Sequence, residues 1–599
     1  MERPEPDIGM TLVRVWLAGP WWHSLTYESD GPVPSGCRVA VPVGRSVRIG
    51  LVAGPEDGPA DQTVKKILRV IDPAPTVAQA MIPVVEWAAG SFFCSPGDVI
   101  RQLLPGSFWK GEPFPEWTQE GTVPSSSETF YDPSDEARFQ KVVSTLTGCS
   151  GGAIVMTPEL ETAKEWARRL SGAGLKKRLI LWPKGAKAIA AAWKKCLGSD
   201  DPIVIGSSAC VMAPLRRPEL CAIEGESLAA YVLQSGVGLS VRSLAARRFH
   251  AGGKVLLLGR MPSSRVFCAC APREAESSPD DKAGLRFVSL FDAARHELTG
   301  FRFPFSIGES VLSDTKKVLR AGKTVLWLLD RRGEAGEIRC LECDQPVVCG
   351  RCGAGVTLRG GRLVCPVCRW SAELPDACPH CGGRLLQSRR PGLEALLPIA
   401  QALAGSQPVV LWHQNDPSGV REAREKVAAL AETGGLVLGS RRALSLLSKL
   451  DVPLVCWLDA DAEARQPDYA SRAEAYSMIL ESMTRGRPKG RDVVLQTRSP
   501  QKGWQITLKS GWKAFWIGEL KERRELGFPP YSYFVTIDPA GRSDEVRQAL
   551  DDGGFSYMES GEKISLLAER LAPLHQCLAP LFSIGQSRKG FPKISLRLD

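Results

Sequence analysis

The sequence predicts a multidomain α/β protein, and three observations carry that reading. Two successive series of short apolar runs alternate with helical stretches. Eight cysteines stand in four Cys-x-x-Cys pairs inside the second series, and a block of β-like runs broken by Pro and Gly precedes both series. A length of 599 residues suits several domains of about 100 to 200 residues each, and 44% hydrophobic content is enough to bury real cores.

The first block, residues 1–105, begins with β-like runs at 13–17, 38–42 and 47–53 and continues into a helical stretch at 77–89. Residues 106–135, rich in Pro, Ser, Thr and Glu and without a sustained period, read as a linker. The first α/β lobe, 136–280, shows AIVM at 153–156, RLILW at 178–182, PIVIG at 202–206 and VLLLG at 255–259. Continuous apolar runs separated by helices mark a parallel sheet covered on both faces. Thr157 and Pro158 predict a helix start, as N-cap and N1, with Leu160, Ala163, Trp166, Ala167 and Leu170 facing inward. The second lobe, 281–514, repeats the pattern with TVLWLLD at 324–330, PVVLW at 408–412, GLVLG at 435–439, LVCWLDAD at 454–461 and DVVLQT at 492–497. Residues 515–599 form a separate mixed α/β region.

The cysteine pairs are Cys340/Cys343, Cys349/Cys352, Cys365/Cys368 and Cys378/Cys381, placing an inserted module at 338–386 between the first two strands of the second series. Each pair presents two thiolates from one tight turn, and two pairs complete a tetrahedron, so eight ligands imply two structural Zn²⁺ ions. Gly350, Gly353, Gly382 and Gly383 are expected to supply the left-handed turns that point amides at sulfur. Adjacent, interleaved and nested pairing all satisfy the count. The other ten cysteines are scattered, as buried residues would be, and His380 reads as a bystander.

A net charge of +10 suits polyanion binding but also many ordinary enzymes. The opening MERPEPDIGMTLVRVWLAG has no basic segment leading into an apolar run, and no stretch reaches about 18 uninterrupted apolar residues. No signal peptide and no membrane span are therefore expected, and thiolate-rich knuckles fit a reducing cytoplasm.

Several motifs, in order along the chain, resemble the primosomal protein N′ (PriA) family of replication-restart helicases. SGCRVAVPVGRSVRIGLVAG, LRVIDPAP and CSPGDVIRQLLP are similar to that family's N-terminal domain, and LLDRRGEAGEIRC, with Asp330, Arg331, Arg332 and Gly333, to its N-R-R-G lead into the first knuckle. LDADAEARQPDYASRAEAY resembles its L-D-A-D and P-D-F segments through Asp459, Asp461, Pro467, Asp468, Tyr469, Arg472 and Glu474. ELKERRELGFPPYSYF resembles its E-L-x-x-R-R signature through Arg523, Arg524, Leu526, Pro529 and Pro530. The resemblance implies a β-rich N-terminal domain binding the 3′ end of DNA, a reduced winged-helix region at 106–135, two RecA-like helicase lobes, the double zinc module and a mixed C-terminal domain. It also implies nested pairing, with Cys340, Cys343, Cys378 and Cys381 on one metal and Cys349, Cys352, Cys365 and Cys368 on the other.

Against the family pattern, the helicase motifs are degenerate. A phosphate loop G-x-x-x-x-G-K-[ST] cradles phosphates with backbone amides and a lysine. At the corresponding place this chain reads TLTGCSGGAIVMTPE, passing from Gly148 and Gly152 straight into a strand. The D-E-x-H motif reads Ile223-Glu224-Gly225-Glu226-Ser227, G-S-A-T reads Gly259-Arg260-Met261-Pro262, and the glycine- and arginine-rich last motif reads ESMTRGRP around Arg485 and Arg487. Ala321-Gly322-Lys323-Thr324 imitates the end of a phosphate loop but precedes a strand, so Lys323 reads as a turn lysine.

The expected protein is therefore a DNA-binding restart factor that recognises branched forks and helps reload the replicative helicase, without ATPase or helicase activity and with no catalytic residue. Tyr27, Gly36 and Lys65 fall on positions resembling the 3′-end pocket, although the family's F-D-Y reads Leu25-Thr26-Tyr27 and its acid is absent. Arg389, Arg390, Arg485, Arg487 and Arg491 are candidate phosphate contacts, and Trp166 and Trp457 read as core. Partners implied by the family are forked and single-stranded DNA, single-stranded-DNA-binding protein, the replicative helicase with its loader and other primosome proteins. A cytoplasmic, nucleoid-associated monomer is expected. Two other classes compete: an active 3′-5′ helicase, and a zinc-stabilised interaction scaffold without DNA binding. Salt-dependent preference for forked DNA separates the restart factor from the scaffold.

Overall fold

The structure, a computed structural model, describes residues 11–56, 64–120, 123–233, 238–273, 284–290, 294–296, 305–329, 335–359, 361–365, 368–412, 419–464, 468–486, 491–498, 500, 503–583 and 590–599. Asp330, Arg331, Arg332, Gly333, Pro467 and Arg487 lie outside them, as do the side chains of Arg389 and Arg390. The chain divides into two compact units. The first comprises Met1–Asp132, Ala137–Arg273 and Glu519–Asp599; the second comprises Pro133–Glu136 and Glu274–Gly518.

In the first unit, the N-terminal sheet has six strands: β1 (Thr11–Trp16), β2 (Leu25–Ser29), β3 (Arg38–Val43), β4 (Ser46–Pro55), β5 (Lys65–Lys66) and β6 (Arg69–Val70), in the order β5-β2-β1-β4-β3-β6. The outermost strands β5 and β6 are neighbours in the chain. The Ile67 amide donates to Glu28 on one edge and the next amide, Leu68, to Ala40 on the other, so one short segment bridges the outer strands β2 and β3 and curls the sheet toward a barrel. Helices α1 (Ile82–Ser91) and α2 (Pro96–Leu103) follow, the second capped by Ser95, whose hydroxyl accepts from the Asp98 amide.

Gly36 adopts φ +90°, and a Cβ there would stand 2.0 Å from the Val77 carbonyl oxygen. Its own carbonyl accepts from the Thr76 and Val77 amides. Gly36→Ala is therefore expected to destabilise the protein by about 2–4 kcal/mol, combining backbone strain with overpacking. Urea unfolding checks this, and an unchanged midpoint would show that the turn relaxes freely.

The described part of 106–135 is not a linker. Phe108 and Trp117 are fully buried, the Trp117 indole donates to the Leu215 carbonyl at 3.2 Å, and Ser126–Tyr131 is a strand of the first lobe's sheet. Aromatic anchors hold a segment whose Pro- and Ser-rich composition hides them. Phe108 packs, with Phe114, on Arg38, also fully buried, which makes a two-pronged ion pair with Asp72 at 2.7 and 2.8 Å and donates to the Phe108 and Glu112 carbonyls.

The first lobe's sheet contains β7 (Ser126–Tyr131), β8 (Gly152–Met156), β9 (Leu179–Leu181), β10 (Ile203–Gly206), β11 (Pro218–Glu224) and, after an antiparallel pair β12 (Val232–Leu233) and β13 (Leu239–Ser240), β14 (Lys254–Gly259). All six sheet strands are parallel, in the order β7-β14-β11-β8-β10-β9. Helices α3 (Asp135–Thr147), α4 (Leu160–Leu170), α5 (Ala186–Leu197), α6 (Val241–His250) and α7 (Ser264–Cys270) alternate with the strands. The predicted inward face of α4 holds, with Ala163, Trp166 and Leu170 buried. The predicted cap does not: the helix starts at Leu160, because the Thr157 hydroxyl donates to the Glu159 carbonyl instead of accepting from a helix amide.

In the second unit, β15 (Leu285–Ser289) is followed by a separate antiparallel pair, β16 (Ala294–His296) and β17 (Phe305–Ile307), and then by β18 (Thr324–Leu328). The inserted module consists of β19 (Ala335–Cys340), β20 (Thr357–Arg359), β21 (Arg362–Val364), β22 (Ser371–Glu373) and β23 (Leu386–Pro391), an antiparallel sheet slightly wider than the predicted 338–386. The lobe resumes with β24 (Val409–Trp412), β25 (Gly435–Gly439), β26 (Leu454–Trp457) and β27 (Asp492–Thr497). Its parallel sheet is ordered β15-β27-β26-β18-β25-β24. Ranked by chain order within each sheet, both lobes read first, sixth, fifth, second, fourth, third. That shared topology makes the second lobe a structural repeat of the first.

The C-terminal region returns to the first unit as an antiparallel sheet of β28 (Tyr533–Asp538), β29 (Met558–Ser560), β30 (Lys563–Ala568) and β31 (Lys593–Arg597), ordered β29-β30-β28-β31. Its residues share a core with the N-terminal helices and the first lobe, and Trp22 stacks on Phe582 and His575 at centroid distances of 3.9 and 4.5 Å.

Candidate functional site

Four knuckles bring the cysteines together. In each, the residue directly after the second cysteine has positive φ: Asp344, Gly353, Arg369 and Gly382. The left-handed turn is therefore general, while glycine fills it only twice; Gly350 and Gly383, also expected to supply it, do not. The turn aims amides at sulfur, with Glu342, Arg351 and His380 donating to Cys340, Cys349 and Cys378 at 3.4 Å. The grouping is nested: Cys340, Cys343, Cys378 and Cys381 form one cluster, and Cys349, Cys352, Cys365 and Cys368 the other, with all sulfurs of a cluster within 4.8 Å of one another.

The shortest sulfur separations are 3.7 Å in the first cluster and 3.5 Å in the second. Four thiolates at about 2.3 Å from a tetrahedral Zn²⁺ stand about 3.8 Å apart, so both clusters fit that ion. Amides of Cys381 and His380 aimed at Cys378 lower its thiol to about 7, whereas Cys381 of the same cluster is pushed up to about 12, against the pull of the Gly383 amide, by the thiols beside it. His380 contributes its amide, not its ring, and belongs to neither cluster.

The carboxyl ends of the first lobe's strands are the edge where α/β sheets bind phosphates. Here the topology corrects the sequence reading. TLTGCSGG connects helix α3 to the start of β8, so it lies at the opposite, amino-terminal edge of the sheet. The strand-to-helix turn preceding α3 contains only Asp132, Pro133 and Ser134, too short for a loop of about eight residues and without Gly or Lys. The first turn of α3 is acidic, with Asp135 and Glu136, where a phosphate site requires the opposite charge balance.

That edge is filled by the chain itself. Arg138, 1% exposed, donates to Glu224 Oε1 at 2.9 Å and to the Asp132 carbonyl, joining the ends of β11 and β7. Glu226, buried beside it, accepts from the Tyr131 hydroxyl and the Ser263 amide, both at 2.7 Å, and pairs with Arg242 at 2.6 Å. Burial and then the Glu226 charge push the Tyr131 phenol well up, so it stays protonated and donates. Both glutamates of the degenerate acidic motif are committed to protein partners.

The remaining candidates are dispersed. Lys65 is exposed and pairs in register with Tyr27, but the Tyr27 ring is buried and its hydroxyl donates to the Pro42 carbonyl, so it supports the strand pair and presents no stacking face to solvent. Gly36 serves the turn described above. Arg485 pairs with Glu481, and Arg491 is buried with its guanidinium donating to the Arg485 carbonyl, so neither is an open phosphate contact. Lys323 is a turn lysine paired with Asp451 at 2.8 Å. Asp461 accepts from Thr497, the Arg498 amide and Gln505, tying strand ends of the second lobe together. Among the described residues, no helix is long and apolar enough to cross a membrane.

Two parallel sheets with one strand order, an inserted double Cys₄ module and a β-rich N-terminal domain define a two-lobed α/β protein with two candidate zinc sites. Residues 14–105 match the PriA 3′DNA-binding domain (3′BD) family. The chain is 21% identical over 480 residues to replication restart protein PriA of Thermotoga maritima, covering 77% of this chain and 61% of that protein. It is 21% identical to PriA of Treponema pallidum, covering 92% and 89%, and 24% identical to the probable PriA of Deinococcus radiodurans, covering 80% and 53%. The chain is thus similar to PriA proteins over most of its length, at 21–24% identity. It spans 61%, 49% and 53% of the length of three of the curated relatives it matches, those of Thermotoga maritima, Bacillus subtilis and Deinococcus radiodurans. Among solved structures, a DEAD box protein from Methanococcus jannaschii overlays with a TM-score of 0.31 at 10% identity, covering 67% of this chain and 87% of that one. RecG bound to a three-way DNA junction gives 0.34 at 7% identity, covering 67% and 43%.

Proposed function

We propose that this chain is a DNA-binding replication-restart protein that recognises stalled or branched forks and helps reload the replicative helicase without hydrolysing ATP. The observation that carries the non-motor half is the strand-end edge of the first lobe: a three-residue turn replaces the phosphate loop, and Arg138 paired with Glu224 fills the space. Losing phosphate cradle, lysine and metal-binding carboxylate removes several terms of transition-state stabilisation together. The DNA-binding half is supported by the match of residues 14–105 to a 3′DNA-binding domain, with exposed Lys65 on β5 as a candidate phosphate contact. In this reading Zn²⁺ occupies both Cys₄ clusters, the partners are those of the primosome, including single-stranded-DNA-binding protein and the helicase loader, and the protein works in the cytoplasm.

Fork binding followed by fluorescence anisotropy across a salt series tests this reading. Tighter binding to a fork with a 3′ nascent end than to single-stranded DNA is expected, with log affinity falling linearly with log salt. Lys65→Ala should reduce that slope by about one phosphate contact. Equal affinity for fork, single strand and heparin would contradict fork recognition.

A further inference from the structure

The edge that binds nucleotide in P-loop proteins holds residues of the chain's own C-terminal segment. Asp599 pairs with Arg242, whose other face holds Glu226, and also accepts from the Arg265 amide at 3.3 Å. The Arg265 guanidinium donates twice to the Leu598 carbonyl, at 3.0 and 3.2 Å, and lies over the Tyr533 ring at 4.9 Å. Arg242 and Arg265 belong to α6 and α7 of the first lobe, whereas Tyr533 and Leu598 belong to the C-terminal sheet and the residues just after it. Arg242 thus clamps two carboxylates, one from each domain, beside the ends of β11 and β14. Burial alone would raise the Asp599 carboxyl, but the Arg242 charge outweighs it and holds the group below the usual carboxylate range.

We propose that Leu598 and Asp599 form an intramolecular latch that seats the C-terminal domain on the strand-end edge of the first lobe, giving Arg242 and Arg265 a permanent carboxylate and carbonyl ligand. The latch fixes the C-terminal sheet on the first lobe through an ion pair and backbone hydrogen bonds. Its strength falls with salt, because Asp599 is only partly shielded from solvent. The inference shares with the non-motor reading only the edge on which the latch sits, and its contacts stand whether or not nucleotide binds beside β7.

Hydrogen exchange on the full-length, zinc-loaded protein tests it, with Asp599→Ala and Asp599→Glu as variants. In Asp599→Ala, amides of Lys593–Arg597 and Ser264–Cys270 should exchange at least tenfold faster while Gly152–Met156 in the lobe core stays protected. Asp599→Glu should remain near the parent. Unchanged exchange in both segments of Asp599→Ala would overturn the latch, and so would faster exchange everywhere, which would make Asp599 a general stabiliser. Adding MgATP to the parent protein is a separate arm: slowed exchange at β7 and β11 would contradict the closed edge while leaving the latch result intact.

Discussion

Chelating the metals should unfold the Ala335–Pro391 module while both parallel sheets persist. Among the described residues, the module's buried core consists of Ile338, Val347, Cys349, Val356, Leu363 and Cys365, two of which are candidate ligands. So small a core cannot hold five short strands unaided, and each structural zinc contributes an apparent ~10 kcal/mol or more. Cys365→Ser removes one ligand from one cluster only. Bound zinc measured by atomic absorption should fall from two equivalents toward one, and proteolysis should cut first within the module. Two equivalents retained, or a module equally protected after chelation, would contradict the assignment of these thiols.

Arg138→Ala should cost about 3–5 kcal/mol, because it leaves Glu224 buried without its cation. Replacing both partners with apolar residues, Arg138→Met with Glu224→Leu, should recover most of that loss, since a buried ion pair is often no better than a packed apolar contact. Denaturant unfolding of the two single variants and the pair closes the cycle. Stability losses that simply add would show that the two residues do not act together, and the edge would then not be closed in the way described.

How much of this was legible beforehand follows from burial. Runs such as AIVM and GLVLG lie in the middle of parallel sheets, buried on both faces, so their apolar character is continuous and both lobes could be read. The missed strands Ser126–Tyr131 and Leu285–Ser289 are sheet edges with partly exposed side chains, and SSETFY carries no apolar run. Missing the first of them misplaced the phosphate loop: TLTGCSGG has the right composition, but glycine content does not reveal which edge of a sheet a loop occupies. Had SSETFYDPSDEARF been read as strand, turn and acidic helix start, the short turn would have been visible. The cysteine spacing was legible because metal geometry acts over a few residues, while the nested grouping needed either the family or the fold. The buried arginines were not legible at all. Arg242 meets Asp599 across 357 positions, and Arg38 meets Asp72 across 34; sequence gives no period for such pairs. Tyr27 and Gly36 show the converse, since both stand at positions resembling a binding pocket yet are held by the barrel's internal packing.

Steady-state ATP hydrolysis by the zinc-loaded protein, with and without a fork carrying a 3′ nascent end, is the most direct test when fork binding is measured on the same sample. The closed edge predicts saturable, salt-sensitive fork binding with no hydrolysis above background. Fork-stimulated hydrolysis would contradict it, because the Asp132–Ser134 turn and the Arg138–Glu224 pair would then have to open around a triphosphate.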